Sequence, residues 1–112
     1  MEKNIEISLL FDFYGQLLKE QQQMAVDLYY NDDLSLSEIA GELNITRQGV
    51  RDCIKRSEIQ LYLYEEKLGL YKRFKETEKG LSEIEKLAES LKDNYSKEQA
   101  EKIIKIAKEL QE

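Results

Sequence analysis

The sequence predicts an all-α fold, and three observations support this. Proline and tryptophan are absent from the 112 residues, and charged residues make up 36% against 41% hydrophobic ones. Apolar residues recur every three or four positions through most of the chain, which is the spacing of amphipathic helices. Ser-x-x-Glu and Ser-x-x-Gln motifs, which satisfy free amides at a helix start, precede two of these segments. A chain of this length is expected to form one small domain with an extension.

Two helices are predicted before the first of these motifs, over about residues 5–18 and 20–30. The sequence NDD at residues 31–33 favours a turn after the second helix. The positions expected to face inward are Ile5, Leu9, Leu10, Phe13 and Leu17 in the first helix and Met24, Ala25, Leu28 and Tyr29 in the second.

A compact helical corner is predicted over SLSEIAGELNITRQGVRDCIKR, residues 35–56. Ser35 and Glu38 have the spacing of a capping box. Asn44 is placed to end this helix in the left-handed conformation, and Thr46 to cap the next one. Ala40 is small enough for the two helices to cross closely. The expected inward contacts are Leu36, Ile39, Leu43, Ile45, Val50 and Cys53. This pattern indicates a helix-turn-helix, whose second helix can lie in the DNA major groove.

A heptad-like series follows, in steps of four and three residues. Its members are Val50, Ile54, Ser57, Leu61, Tyr64, Leu68 and Tyr71, and after a stutter Phe74, Leu81, Ile84, Ala88 and Leu91. We expect one long helix, bent near Gly69 or Gly80, although Gly69 before an apolar residue also fits a helix C-cap. The series from Val50 to Tyr71 predicts a dimer seam.

A C-terminal helix is predicted after a second capping box at Ser96 and Gln99. Its expected inward residues are Ala100, Ile103, Ile104, Ala107 and Leu110. We therefore divide the chain into a helix-turn-helix domain, residues 1–68, and a helical extension, residues 69–112, that would serve dimerisation.

Charge is unevenly distributed around a formal total of −6. Residues 1–34 carry two basic and seven acidic side chains, a balance of −5, and residues 57–112 carry eleven and thirteen, a balance of −2. Residues 35–56, with four basic and three acidic side chains, have a balance of +1. The acidic total argues against a nonspecific DNA coat, because such binding depends on Lys and Arg neutralising phosphates.

The candidate DNA-binding residues are the polar positions at and after the cap of the corner's second helix. Arginine and glutamine near the start of such a helix pair with guanine and adenine edges, whereas Thr46 and Lys55 would hold phosphates. A solvated helix face with no ligand is the alternative for the same pattern. The full set is Thr46, Arg47, Gln48, Arg51, Asp52, Lys55 and Arg56.

Several other classes of function are disfavoured by what the sequence lacks. It contains no histidine and a single cysteine, Cys53, which is expected to pack inside as a small apolar residue. No glycine-rich phosphate loop, nucleophile–base arrangement or metal-ligand cluster is present. We expect a protein that is not an enzyme and needs no cofactor or metal. The lack of a signal peptide or membrane-spanning run predicts a cytoplasmic protein.

Several motifs in order resemble a known family. Residues 17–61 resemble the last DNA-binding region of sigma-70-type factors, which reads the −35 promoter element. LFDFYGQLL, LYYNDDLSLSEIA, TRQGVRDCIKR and YEEKLGLYKRF together resemble the YlxM family of small bacterial helix-turn-helix proteins, over about residues 5–80. The resemblance implies a fold like sigma-70 region 4, followed here by the long helix and the C-terminal helix. It also implies a regulatory role linked to the signal recognition particle, because genes of this family neighbour those of that particle's GTPase and its receptor.

Two functions follow from these observations. The first is a regulator that binds DNA, as a homodimer, through the corner. The second is an adaptor that binds no DNA and docks the signal recognition particle GTPase or its ribonucleoprotein through the acidic N-terminal surface. Charge placement separates them, since a positive helix face favours the first and the acidic residues 1–34 favour the second.

Overall fold

The protein is entirely helical in the part that the structure describes. A computed structural model describes residues 3–112, and these contain no strand. The elements are α1 (Ile5–Tyr14), a 3-10 turn (Gly15–Leu17), α2 (Glu20–Tyr30), α3 (Leu36–Leu43), α4 (Arg47–Leu68), α5 (Leu70–Asp93) and α6 (Lys97–Gln111). The all-α prediction is confirmed. Across the described residues, no helix combines the length and the apolar character needed to cross a bilayer.

The chain consists of two compact units. The first ends at Tyr71, and the second runs from Lys72 to Glu112. The sequence had placed a domain boundary between residues 68 and 69, whereas the packing divides the chain within the first turn of α5.

The first unit is assembled around α4, which packs against α1, α2 and α3. Val50, Ile54, Ser57 and Leu61 lie on one side of α4 and are each 0% exposed. The corner cluster is formed by Ala25, Tyr29, Leu36, Ile39, Val50, Cys53 and Ile54. The α1 cluster is formed by Ile7, Leu10, Tyr14, Leu18, Val26 and Leu61. Because α4 contributes to both clusters, it fixes the other three helices relative to one another.

The dimer seam predicted along Val50–Tyr71 is therefore wrong. Its first four members are buried inside the first unit, and Ser57 donates its hydroxyl to the Cys53 carbonyl at 2.8 Å. A heptad spacing shows only that one helix face is apolar, and here three helices of the same chain cover that face.

The inward face of α1 also differs from the prediction. Of the predicted positions only Leu10 is buried, and the other buried residues of this helix are Ile7 and Tyr14. Ile5 is 81% exposed, and Leu9 is 37% exposed. The segment is apolar on nearly every side, so periodicity could not determine which side would pack.

The single long helix predicted beyond Val50 is interrupted at Gly69. This residue has φ 63° and ψ 26°, the left-handed conformation that ends α4. The Tyr14 hydroxyl accepts from the Leu70 amide at 2.9 Å and donates to the Glu65 carboxylate at 2.6 Å. The same carboxylate oxygen accepts from the Tyr71 amide at 3.0 Å. Two free amides at the start of α5 are thereby satisfied.

The α2–α4 packing contains one polar link. The Tyr30 hydroxyl donates to the Glu58 carboxylate at 2.5 Å. Burial raises the pKa of the Tyr30 phenol well above its usual range, and the neighbouring Glu58 carboxylate raises it further. The phenol therefore stays protonated around neutral pH and can donate this hydrogen bond.

The second unit is an antiparallel pair of helices formed by α5, from Lys72 onward, and α6. Gly80 is buried where the helices approach, and a β-carbon there would lie 2.8 Å from both δ-carbons of Leu110. At the other end, the Ser90 hydroxyl donates to the Gln99 side chain at 2.7 Å. Ser96 caps α6 as predicted, but the Gln99 side chain makes this contact with Ser90.

The inward positions of α5 are displaced from the predicted series. From Lys72 onward the partly or fully buried ones are Thr77, Gly80, Ile84, Leu87 and Leu91, while Phe74, Leu81 and Ala88 are exposed. In α6 the prediction holds except at Ile104, which is 54% exposed, while Ile106 is partly buried. Gly80 explains this displacement. Because glycine has no side chain, α6 approaches α5 most closely at Gly80, and the residues on the same face of α5 become the buried ones.

The Gly69 turn gives a test of the helix interruption. Gly69→Ala should lower the free energy of unfolding by roughly 1 kcal/mol, since a side chain is strained at positive φ, although nothing lies within 4 Å of the new β-carbon. Urea denaturation followed by circular dichroism measures this change. Gly41→Ala is the matched control, because that exposed glycine lies within α3 with open space around it. Alanine there should raise stability by up to about 1 kcal/mol. Equal stabilisation by both substitutions would contradict the left-handed turn.

Candidate nucleic-acid interface

The corner between α3 and α4 is a tight turn, and Asn44 makes it possible. Asn44 has φ 58° and ψ 41°, the left-handed conformation predicted for it. The Ile45 amide then donates to the Ala40 carbonyl at 3.2 Å, and the same carbonyl also accepts from the Asn44 amide. Ile45 packs against the corner cluster. Asparagine thus does here what glycine does at many helix ends.

Both helices of the corner begin with a side-chain cap. The Ser35 hydroxyl accepts from the Glu38 amide at 3.1 Å, and the Glu38 carboxylate accepts from the Ser35 amide at 3.0 Å. Hydrogen bonding to the carboxylate, first from the Ser35 amide and then from the Ser35 hydroxyl, holds the pKa of Glu38 below its usual range, because it stabilises the ionised form. The Thr46 hydroxyl accepts from the Gly49 amide at 2.9 Å. Both predicted caps are confirmed.

Gly49 makes room for the cap of α4. A β-carbon on this residue would lie 3.1 Å from the Thr46 hydroxyl oxygen and 3.7 Å from Ile45. Its missing side chain leaves space for the cap and for the turn.

The angle between α3 and α4 is fixed by apolar contacts on the inner side of both helices. Ile39 on α3 and Val50, Cys53 and Ile54 on α4 are buried together in the corner cluster. Ala40, Leu43 and Ile45 are partly buried against the same cluster, as predicted. With its inner side held in this way, α4 has one defined outer side.

All seven candidate residues lie at or after the start of α4, and all are exposed: Thr46, Arg47, Gln48, Arg51, Asp52, Lys55 and Arg56. Residues four apart share a helix face, so the six residues that follow the N-cap Thr46 form two adjacent rows. The cationic row consists of Arg47, Arg51 and Lys55. The mixed row consists of Gln48, Asp52 and Arg56.

The mixed row contains an internal hydrogen bond. The Gln48 amide nitrogen donates to the Asp52 carboxylate at 3.0 Å. In this state Gln48 has a partner on its own helix, and the positive charge of the outer face is concentrated in the cationic row and Arg56.

A polar groove lies beside this face. It has a volume of about 480 Å³ and is lined by Lys19, Gln21, Gln22, Cys53, Arg56, Ile59 and Gln60. Lys19 precedes α2, and its amide donates to the Gln22 side chain at 3.3 Å. The groove brings Lys19 near Arg56, although 37 positions separate them in the sequence. Sequence reasoning missed Lys19, because only packing of α2 on α4 reveals this proximity.

Cys53 lies at the bottom of the groove and is only 3% exposed. Burial raises the pKa of its thiol, and this effect outweighs the lowering influence of Arg56 and of the Ser57 hydrogen bond. A reactive or redox-sensing cysteine needs an accessible thiolate, so the structure favours the packing role expected for Cys53. Within residues 3–112, no group of acidic or cysteine side chains has an arrangement that would hold a metal ion.

The helix-turn-helix geometry agrees with the family to which the sequence is similar. Residues 1–107 match the family described as "UPF0122: Putative helix-turn-helix protein, YlxM / p13 like". The chain belongs to this family. Members of the UPF0122 family from several bacteria match between 83% and 100% of this chain, so the predicted resemblance to YlxM is confirmed.

Three relatives show the extent of the similarity. A UPF0122 protein of Desulforamulus reducens is 45% identical over 112 residues, which are 100% of this chain and 96% of that protein. One from Bacillus pumilus is 44% identical over 110 residues, 98% of this chain and 97% of the relative. One from Listeria welshimeri is 48% identical over 98 residues, 88% and 87% of the two chains.

The burial of Cys53 predicts slow reaction with thiol reagents. Between pH 7 and 8 the native chain should react with a disulfide reagent at least about tenfold more slowly than the urea-unfolded chain, because the folded thiol is both covered and held protonated. The release of thionitrobenzoate, followed by absorbance, measures both rates. Equal rates in the two states would show that Cys53 is accessible in the folded protein.

Proposed function

We propose that the protein is a DNA-binding regulator without catalytic activity of its own. In this proposal α4 enters the major groove and α3 braces it, as in other helix-turn-helix proteins. The observation that carries the proposal is the exposed cationic row on a helix whose opposite side is fixed in the core. The backbone of a row held in this way needs little reordering to meet DNA, so the entropy lost on binding comes mainly from the exposed side chains.

The exposed side chains fall into two proposed roles. Arg47, Gln48 and Arg51 lie in the first two turns of α4, where side chains of these types reach base edges. Thr46 and Lys55 would hold phosphates, since the Thr46 hydroxyl can still donate its proton while its oxygen caps the helix. Lys19 and Arg56 in the neighbouring groove would extend the phosphate contacts.

Acidic side chains would confine binding to this one face. With a net charge of −6 the chain as a whole repels phosphates. Asp52 lies on the outer face itself and accepts from Gln48. On binding, Gln48 would give up its hydrogen bond to Asp52 and form one to a base. Because only a suitable base replaces the lost bond, we expect weak affinity for nonspecific DNA and stronger affinity for a duplex with the correct bases.

The proposed regulator acts in the cytoplasm as a homodimer. Two copies would place two α4 helices on successive half-sites of one DNA duplex, which is the usual arrangement for helix-turn-helix proteins. Pairing also raises affinity for a protein whose single face contains few cations.

The cationic row provides the main test. Duplexes selected from fragments of the source genome should bind in a salt-dependent manner. Arg51→Ala should weaken binding to the selected duplex by about 1–3 kcal/mol and relax base preference, whereas Lys55→Ala should weaken all duplexes alike and lower the salt slope by about 1 per monomer. Fluorescence anisotropy at several salt concentrations measures both effects.

Two further variants test whether the effect depends on the position and the sign of the charge on α4. Lys67→Ala removes the same charge about 18 Å further along α4 than Lys55, at 1.5 Å per residue, and should change little. Asp52→Asn removes a negative charge from the outer face and can still accept from Gln48, so it should strengthen binding to all duplexes. If no genomic fragment binds even at low salt, the DNA-binding proposal is lost.

A second candidate function is an adaptor that docks the signal recognition particle GTPase or its ribonucleoprotein. The exposed face of α1 favours it, since Ile5 is 81% exposed and Leu9 37% exposed. The exposed acidic residues Glu6 and Asp12 lie on the same helix. Apolar anchors with acidic neighbours suit a basic amphipathic partner.

The adaptor function predicts retention of the particle on the immobilised full chain. Ile5→Asp together with Leu9→Asp should reduce the retained protein or RNA at least about tenfold, because both apolar contacts are lost. Arg51→Ala, which alters the other face, should leave it unchanged. If neither particle protein nor particle RNA is retained by the unsubstituted chain, this second function is excluded.

A further inference from the structure

The second unit has an apolar stripe that its own two helices do not cover. In α5 the seam that faces α6 is formed by Thr77, Gly80, Ile84, Leu87 and Leu91, at steps of three and four residues. Leu81 and Ala88 lie beside this seam, seven residues apart, and both are exposed, with Leu81 at 55%. The corresponding seam of α6 consists of Gln99, Ile103, Ile106 and Leu110. The exposed Ile104 lies beside it, and the partly buried Ala100 and Ala107 lie between the seam and Ile104.

The stripes of the two helices lie on the same side of the pair. On the opposite side a groove of about 300 Å³ has the seam residues Gly80, Ile106 and Leu110 along its floor. Its charged lining residues are Glu76, Lys79, Glu83 and Glu109. In both helices, one side of the contact surface borders this charged groove. The residues on the other side of the contact surface, which include Leu81 and Ile104, therefore lie together on the opposite side of the pair. The pair therefore has one charged side and one apolar side.

An apolar flank of this kind indicates more than two packed helices. A two-stranded coiled coil needs only its seam positions to be apolar, whereas a helix in a larger bundle carries an additional apolar position beside the seam. The second unit also has few other sources of stability. In its 41 residues, Lys72–Glu112, Gly80 is the only buried one, and the chain's one cysteine lies elsewhere. Units of about this size usually need oligomerisation, a disulfide or a metal.

The charges along the edges of the apolar side are complementary between α5 and α6. Glu78, Glu85 and Lys92 follow one another at seven-residue spacing beside Leu81 and Ala88, and they give the α5 edge a net charge of −1. Lys97, Glu101 and Lys108 border Ile104 and give the α6 edge a net positive charge. A two-fold axis parallel to the helices places α5 of one copy against α6 of the other, so each acidic edge meets a basic one.

We propose that this apolar side of the second unit, centred on Leu81 and Ile104, binds the same surface of a second copy to form a four-helix bundle. The inference deepens the proposed homodimer by naming its interface, and it replaces the seam first predicted along α4. In this arrangement the apolar flank is covered and the charged groove stays in solvent.

The oligomeric state of the full chain tests the interface. Light scattering during gel filtration should give a dimer of twice the 13.2-kDa chain mass. Leu81→Asp or Ile104→Asp should each give monomer, because each places a charge in the apolar contact. Ser82→Asp, one residue from Leu81 but on a different face of α5, should remain dimeric. The double variant Leu81→Ala with Ile104→Ala should raise the dimer Kd at least tenfold. Alanine is a strong helix former, so this variant distinguishes the loss of the interface from unfolding of the helices.

The outcomes separate the interface from DNA reading. An unsubstituted chain that stays monomeric at the highest attainable concentration overturns the interface, and so does a dimer that persists in both aspartate variants. If the two aspartate variants are monomeric and the unsubstituted dimer binds no DNA, the interface is supported and the DNA-binding proposal is rejected. Monomeric variants that still bind a single half-site weakly, with the salt slope per monomer retained, support both.

Discussion

The buried side of α4 is the constraint on which the rest of the first unit depends. Val50 and Ile54 hold the corner cluster, and Leu61 holds the α1 cluster, so a single helix is packed from three directions. Ser57, fully buried between them, lets neighbouring helices approach closely and satisfies its hydroxyl on its own helix. Rotation of α4 by even one position would move its apolar residues out of both clusters. The direction of its outer face is therefore determined by the core, and the cationic row is presented as a fixed surface.

The outer face of α4 carries only a small excess of positive charge. Arg47, Arg51 and Lys55 share one row, while Asp52 beside them reduces the local field and occupies Gln48. Long-range attraction to a polyanion would be weak for such a surface, because the whole chain carries −6. Recognition by this face would depend on short-range contacts made after close approach. This is the opposite of the strategy of strongly basic DNA-binding domains, which gain much of their affinity from phosphates alone.

Local features of the fold could be predicted from the sequence, and features that depend on distant packing could not. Asn44 and Thr46 determine the corner through bonds to nearby residues, so their types were sufficient to place them. The packed side of α1 could not be predicted, since nearly all sides of that helix are apolar. Gly69 fits both a C-cap and a helix interior, and the Tyr14 hydroxyl decides between them from 56 positions away. The outer residues of α4 were placed correctly, but Lys19 was missed because its neighbour Arg56 is remote in sequence.

The left-handed residue at Gly69 also separates two helical phases. If α4 and α5 were one continuous helix, the directions of their side chains would be coupled. Each inserted residue in one part would then rotate the apolar face of the other part by about 100°. The break at Gly69 removes this coupling, because α5 starts anew from amides anchored by Tyr14 and Glu65. Changes of length downstream of Tyr71 leave the phase of α4 unaltered. Evolution can thus lengthen, shorten or exchange the C-terminal helices while the surface offered by the corner stays the same.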